Sequence, residues 1–278
     1  MSSAARHIVR AILPGARRWL DIMLPPTMLG AGETAAAEAW QPDEPNTYCR
    51  RCGSTASFAA MTLEGCPGCR GRRVPWHGVW RLGAYREPLS QWIVQLKFQR
   101  QWDWAAYLGR RLAAATPGAP GVPATPGVER ADFGELSRAA VVPVPLHWLR
   151  RISRGYDQAH LMAAAFAKAK RLPLAPVLRR RRATAPQSHL HSHAARMANT
   201  RAAFTIAPVD LRGWTIWLID DVTTTGATAR RCAHLLRRAG AERIHLAVIA
   251  VADPKQPDAP SGSINDQAPM TKESPTAQ

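Results

Sequence analysis

Residues 214–228 read Trp-Thr-Ile-Trp-Leu-Ile-Asp-Asp-Val-Thr-Thr-Thr-Gly-Ala-Thr, and the fold is decided in this stretch. The opening apolar run predicts a buried strand over residues 214–219, with Asp220 and Asp221 at its carboxyl end. Thr223, Thr224, Thr225 and Thr228 then supply four hydroxyls among successive backbone N–H groups, and Gly226 lets the chain curl until those donors converge. A helix is expected over about residues 227–239, stopped by Gly240 just past its end. The N-terminus of that helix carries partial positive charge at the same spot, so a phosphate is accommodated there. Adjacent carboxylates suit vicinal sugar hydroxyls, or a magnesium ion bridging sugar and phosphate. Strand, carboxylate pair, hydroxyl loop and helix in that order predict a 5-phosphoribose site; an ordinary strand-to-helix turn needs only one or two polar caps.

Working outward, residues 139–144 predict a second buried strand and 157–171 a helix with Leu161, Ala164, Ala165 and Ala169 on one side. A last strand at 244–251 closes a βαβ unit with the signature strand and its helix. Strands followed by helices imply an open parallel sheet with helices on both faces and ligands at the carboxyl ends of the strands. The loops after Val144 and Ile219 then share one rim. Residues 89–98 carry apolar side chains at 89, 92, 93 and 96, a helical period. Trp80, Tyr85, Trp92, Trp102, Trp104 and Tyr107 lie among charges around it; such aromatics either stack on bases or pack a helix onto a sheet.

The chain has 278 residues, room for one sizeable domain and a small module. No run approaches the roughly 18 apolar residues of a membrane-spanning helix, and the N-terminus lacks a signal-peptide pattern, so a cytoplasmic protein without a membrane span is expected. A net charge of +17 draws phosphates; nucleic-acid affinity and an Arg- and Ala-rich composition set by a high-GC genome account for it equally. Four of the five cysteines form Cys49-x₂-Cys52 and Cys66-x₂-Cys69, separated by 13 residues. Two such knuckles offer the tetrahedral sulfur shell of a structural Zn²⁺ with no open position; disulfides compete, and a cytoplasmic chain disfavours them. Cys232 reads as a small buried hydrophobe.

The resulting division is an amphipathic, low-information segment (1–45), a zinc ribbon (46–75), an α/β domain (76–253) and a disordered tail (254–278). Residues 115–131 form a Pro/Gly-rich insertion in the α/β domain. Arg179 to Arg182 either track a nucleic-acid backbone or form a solvated run, and His189, His191 and His193 lack the carboxylates or thiols a metal cluster would add.

The signature segment resembles that of type I phosphoribosyltransferases, which bind phosphoribosyl pyrophosphate (PRPP). Further blocks are Leu96-Lys97-Phe98, Val142-Pro-Val-Pro-Leu-His147, Arg154-Gly-Tyr-Asp-Gln-Ala159, Pro186-Gln-Ser-His-Leu190, Arg196, Asn199 and Ala203-Phe204. In this order they resemble the ComF-type competence proteins, phosphoribosyltransferase-like proteins with an N-terminal zinc ribbon linked to DNA uptake. The resemblance departs at Pro25-Pro26, which no cysteine pair follows, and at Trp148 and Asp157, where proline and Asn are usual. It implies that Asp220 and Asp221 hold the ribose hydroxyls and that Thr223, Thr224, Thr225, Gly226, Ala227 and Thr228 bind the 5-phosphate. Arg150, Arg151 and Arg154 are candidates for the pyrophosphate, against a solvated basic loop; Lys97 either reaches an anionic ligand or sits on a helix surface. Mg²⁺ would accompany PRPP. No acceptor site and no glutaminase cysteine is evident, which leaves two functions. One is phosphoribosyl transfer to an unidentified acceptor; the other is a non-catalytic competence factor that binds single-stranded DNA or DNA-uptake machinery and uses the fold as a PRPP sensor or scaffold.

Overall fold

The computed structural model describes residues 37–117, 138–146, 151, 154–180 and 203–252. The N-terminal amphipathic stretch, most of the Pro/Gly-rich insertion, Arg150, Arg181, Arg182, the three alternating histidines, Arg196, Asn199 and the tail lie outside the described residues.

Four strands form an all-parallel sheet in the order β1-β6-β5-β2: β1 (Gly78–Ala84), β2 (Ala139–Pro143), β5 (Thr215–Thr223) and β6 (Arg243–Val251). A two-stranded antiparallel ribbon, β3 (Leu178–Arg180) with β4 (Phe204–Ile206), stands apart. Parallel strands need crossovers, which helices provide: α1 (Leu89–Phe98), α2 (Asp103–Ala114), α3 (Gln158–Lys170) and α4 (Ala227–Arg238). β6 is central and covered on both faces, which is why its sequence is a continuous apolar run rather than an alternation.

Strand alternation sorts the core into two layers. Ile216, Leu218, Leu246 and Val248 pack with Cys232, Ala233 and Leu236 of α4 and Phe204 of β4. Trp217, Ile219, Ala247 and Ile249 pack on the other face with Ile93 and Leu96 of α1, Leu108 and Leu112 of α2, and Met162 and Phe166 of α3. Trp92 and Trp104 stack at 4.6 Å between centroids inside this layer, so these two aromatics pack α1 against α2 within the core. Cys232 is fully buried, as its small apolar character predicts.

The sequence places the end of the signature strand at Ile219, but β5 runs on to Thr223. Its extension is held by pairing with β6, where Asp220 opposes Val248 and Thr223 opposes Val251. Asp157 also finds its reason here. Its carboxylate accepts the His160 N–H at 3.1 Å and caps α3, a role that Asn or Asp fills.

Candidate functional site

At the carboxyl rim of the sheet the β5–α4 turn opens into a cleft. Its floor is Val144, Pro145 and Leu146 after β2, and its walls are Gln158 and Ala159 at the start of α3 and Arg180 of β3. The remaining lining is the whole of residues 220–228.

Gly226 is the residue before α4 and takes a left-handed φ of +70°, which turns the chain into the helix. Arg230 N–H makes a bond back to Gly226 O at 2.8 Å, and no side chain caps the helix. The first turn also carries no acidic residue. An α-helix whose leading N–H groups have no side-chain acceptor and which opens into a polar cleft is arranged to receive an external anion. Thr224, Thr225 and Ala227 are exposed at this opening, while Thr223 is buried with its backbone in the sheet.

The two carboxylates follow the strand's alternation. Asp221 is buried on the α1–α3 side: its Oδ2 accepts the Lys97 ammonium at 3.0 Å and the Gln158 amide at 3.0 Å, and its Oδ1 accepts Val222 N–H at 2.6 Å. Burial alone would raise its pKa. Lys97, the Gln158 hydrogen bond and the charge of Arg154 outweigh that and hold it below the ordinary value. Asp220 accepts Asp221 N–H at 2.9 Å and is pushed up to about 8 by burial and by the charge of Asp221, with Lys97 and Arg180 opposing the rise. The pair therefore holds one firm negative charge and one group that titrates near neutrality.

The structure brings most of the sequence-predicted residues together and, of the two readings of Lys97, removes the helix-surface one. It is 3 % exposed and ion-paired with Asp221, not a surface lysine. Arg154 is buried with its guanidinium 5.1 Å from the ring centroid of Phe98, the residue after Lys97. Arg151 is half-buried, and Arg150 lies outside the described residues. Sequence reasoning missed Gln158 and Arg180 as site residues. Gln158 sits inside a recognised block, and Arg180 was hidden in a run of arginines that reads as solvated.

The second constellation is the cysteine cluster. The sulfurs of Cys49, Cys52, Cys66 and Cys69 lie within 4.8 Å of one another, with contacts of 3.5 Å (Cys49–Cys69), 3.6 Å (Cys52–Cys66) and 3.7 Å (Cys66–Cys69). Metal–sulfur bonds of about 2.3 Å put the edges of a tetrahedron near 3.8 Å, so the cluster fits a four-coordinate metal ion. A Cβ on Gly65 would lie 2.5 Å from Cys69 Sγ, so only glycine leaves room for the sulfur there. Cys66 N–H also donates to Cys49 Sγ at 3.3 Å, an outer contact typical of thiolate ligands. The cluster is tied to the sheet edge: Val79 N–H donates to Arg50 O at 2.7 Å, and buried Arg81 bonds Gly53 O and Asp43, each at 2.6 Å. Trp76 donates to Arg51 O at 2.9 Å, and its ring comes within 3.4 Å of where a Gly226 Cβ would stand, so one side chain touches both constellations.

The phosphoribosyl transferase domain model matches residues 137–272. Competence protein F of Haemophilus influenzae is 32% identical over 202 residues, covering 72% of this chain and 82% of that protein. DNA utilization protein YhgH of Escherichia coli K12 is 31% identical over 201 residues, with the same shares covered. Among solved structures, the glutamine PRPP amidotransferase of B. subtilis complexed with ADP and GMP aligns at 21% identity and a TM-score of 0.32, over 51% of this chain and 25% of that one.

Proposed function

The chain belongs to the family of competence protein F and DNA utilization protein YhgH, with a phosphoribosyl transferase domain, and from that premise we propose that its cleft binds PRPP. The observation that carries this reading is the uncapped start of α4 facing a polar cleft beside a carboxylate pair. The 5-phosphate would take the N–H groups and hydroxyls of residues 223–228, and the ribose hydroxyls would lie at the carboxylate pair, on the half-buried Asp220 rather than on Asp221, whose oxygens are engaged by Lys97, Gln158 and Val222 N–H. Arg151 and Arg154 would face the pyrophosphate, where positive charge stabilises the leaving group most, while Lys97 stays on Asp221; Arg150, a further candidate from the sequence, lies outside the described residues. Mg²⁺ brought by PRPP would neutralise part of that pyrophosphate charge. Transfer would break the C1–O bond to pyrophosphate, form a bond from C1 to an acceptor and release the acceptor's proton. The residues would do the positioning, and the transfer needs no covalent bond to the protein. In the cysteine cluster we assign Zn²⁺, since four thiolates leave no open ligand position and the role is structural.

A second reading, single-stranded DNA handling on a ligand-sensing scaffold, is favoured by the relatives' names and by the seam between the ribbon and α4. Arg70, Arg72 and Arg73 are exposed there, and Arg230 and Arg237 reach across to Arg73 O and Pro75 O. Exposed Phe58 and Leu63 stand on the same cysteine-bearing module. Pyrophosphate release from PRPP in the presence of candidate acceptors tests the first reading. Salt-sensitive binding of single strands that survives Asp221→Asn, with no pyrophosphate released, would favour the second. A cytoplasmic site of action is part of both; among the described residues no helix is long and apolar enough to cross a membrane.

A further inference from the structure

We propose that Lys97 is the built-in counter-ion of Asp221, its ammonium standing where a divalent cation would otherwise sit on the carboxylate pair, so that phosphoribose is held without a metal on protein ligands. This rests on the phosphoribose reading above and assigns the two carboxylates different work. β5 alternation turns Asp220 toward α4 and β3 and Asp221 toward α1 and α3. Asp221 is then almost fully engaged by the protein itself. Oδ2 accepts from both Lys97 and Gln158, and Oδ1 accepts a short bond from Val222 N–H. A small divalent ion such as Mg²⁺ needs near-octahedral oxygen ligands at about 2.0–2.1 Å, and the approach to Asp221 is already filled by an ammonium and an amide.

Charge points the same way. The fields of Lys97 and Arg154 act on Asp221, and those of Lys97 and Arg180 on Asp220. Three cations surround two carboxylates, so a divalent ion bound to the pair would be pressed against like charge, whereas an anionic phosphate ester is welcome. Lys97 is also placed to stay. It lies in the last turn of α1, is 3 % exposed, and is flanked by Leu96 in the core and by Phe98 beneath the Arg154 guanidinium. Asp221 is thereby a positioning residue that fixes Lys97 and Gln158 at the cleft, and Asp220, half-buried with Oδ2 outside its bond to Asp221 N–H, is the carboxylate that meets the ribose hydroxyls.

Two measurements on the zinc-loaded full chain test this. In the first, Mn²⁺ alone is titrated and followed by electron paramagnetic resonance. Wild type is expected to take up no Mn²⁺ that Asp221→Asn removes, and Lys97→Gln to gain one Mn²⁺ that Asp221→Asn abolishes. A wild-type Mn²⁺ site lost in Asp221→Asn, or no site gained in a folded Lys97→Gln protein, overturns the proposal. In the second, ribose 5-phosphate is titrated by calorimetry in metal-free buffer and again with Mg²⁺. Wild-type affinity is expected to change by less than about twofold, the limit of a bystander ion, and an increase of tenfold or more on adding Mg²⁺ contradicts it. Lys97→Gln leaves a buried carboxylate without its partner and can fail to fold. The Lys97→Gln/Asp221→Asn pair restores charge balance and is expected to bind ribose 5-phosphate within about fivefold of wild type in metal-free buffer. A hundredfold loss in that folded variant assigns Asp221 to the ligand and overturns the proposal. If wild type binds neither ribose 5-phosphate nor PRPP with or without Mg²⁺, the phosphoribose reading itself falls, while the Mn²⁺ titration still decides what Lys97 replaces.

Discussion

The cysteine cluster and the β5–α4 cleft both gather polar atoms from tight turns, touch the same Trp76, and are built on opposite logic. The cluster is closed: four sulfurs converge from two knuckles and would fill every position around a four-coordinate metal ion with protein atoms. The cleft is open: its helix start lacks a cap, Thr224 and Thr225 are exposed, and Asp220 is half-buried. A closed site turns binding energy into folding energy, because the ligand completes the structure. An open one keeps donors poised for a ligand that comes and goes. Damage to the cluster should therefore appear in stability first, and damage to the cleft in binding.

The largest effect should come from the cluster. Stripping the metal with a chelator under reducing conditions, or Cys66→Ser, should lower the calorimetric Tm by roughly 10 °C or more, since structural zinc contributes on the order of 10 kcal/mol in small modules. An unchanged Tm would break the contrast. Next, Asp220→Asn should weaken PRPP binding at least about a hundredfold, near 2.7 kcal/mol, with little loss of Tm. If Tm collapses with affinity, the two regions are not separable in this way. Gly226→Val sharpens the boundary. A β-branched residue at φ +70° costs about 1–2 kcal/mol of strain, so a drop of a few degrees should accompany about a tenfold loss of affinity.

The pH dependence is subtler and has a defined sign. Asp220 is raised to about 8 in the folded protein, above the value it would have unfolded. Its contribution to stability is therefore complete only below the unfolded pKa near 4 and is lost as pH rises through about 8. Asp220→Asn should consequently raise Tm by a few degrees at pH 9, an effect expected to fade as pH falls toward 5; thermal unfolding across that range checks it. The smallest effect is reserved for the exposed seam. Arg72→Ala with Arg73→Ala should leave Tm and PRPP affinity unchanged and, if single strands bind there, lower the salt dependence of that binding by about one to two ions.

The same comparison explains what was legible in the sequence. The cluster could be read from spacing alone, because both knuckles are local and their ligands are side chains of fixed type. The threonine loop was legible for a similar reason: Gly226 and Gly240 mark the start and end of α4 within a residue of where the helix forms. Long-range partners were not. Lys97 reads as the polar residue of an amphipathic helix until the fold sets α1 against the carboxyl end of β5 and buries it on Asp221. The strand end was misplaced because adjacent carboxylates read as loop, while pairing with the long apolar β6 carries β5 through both of them. Asp157 stood out as a departure until its capping bond to His160 N–H was seen.

If the open start of α4 receives the 5-phosphate, a bound ligand shields the amides of its first turn. Hydrogen–deuterium exchange of the full chain, with and without saturating PRPP and Mg²⁺, tests it most directly. New protection is expected centred on residues 223–230, with a lesser change around Lys97 and residues 154–158, and none in Asp220→Asn at the same PRPP concentration. Saturating PRPP that leaves residues 223–230 exchanging as in the free protein would contradict it.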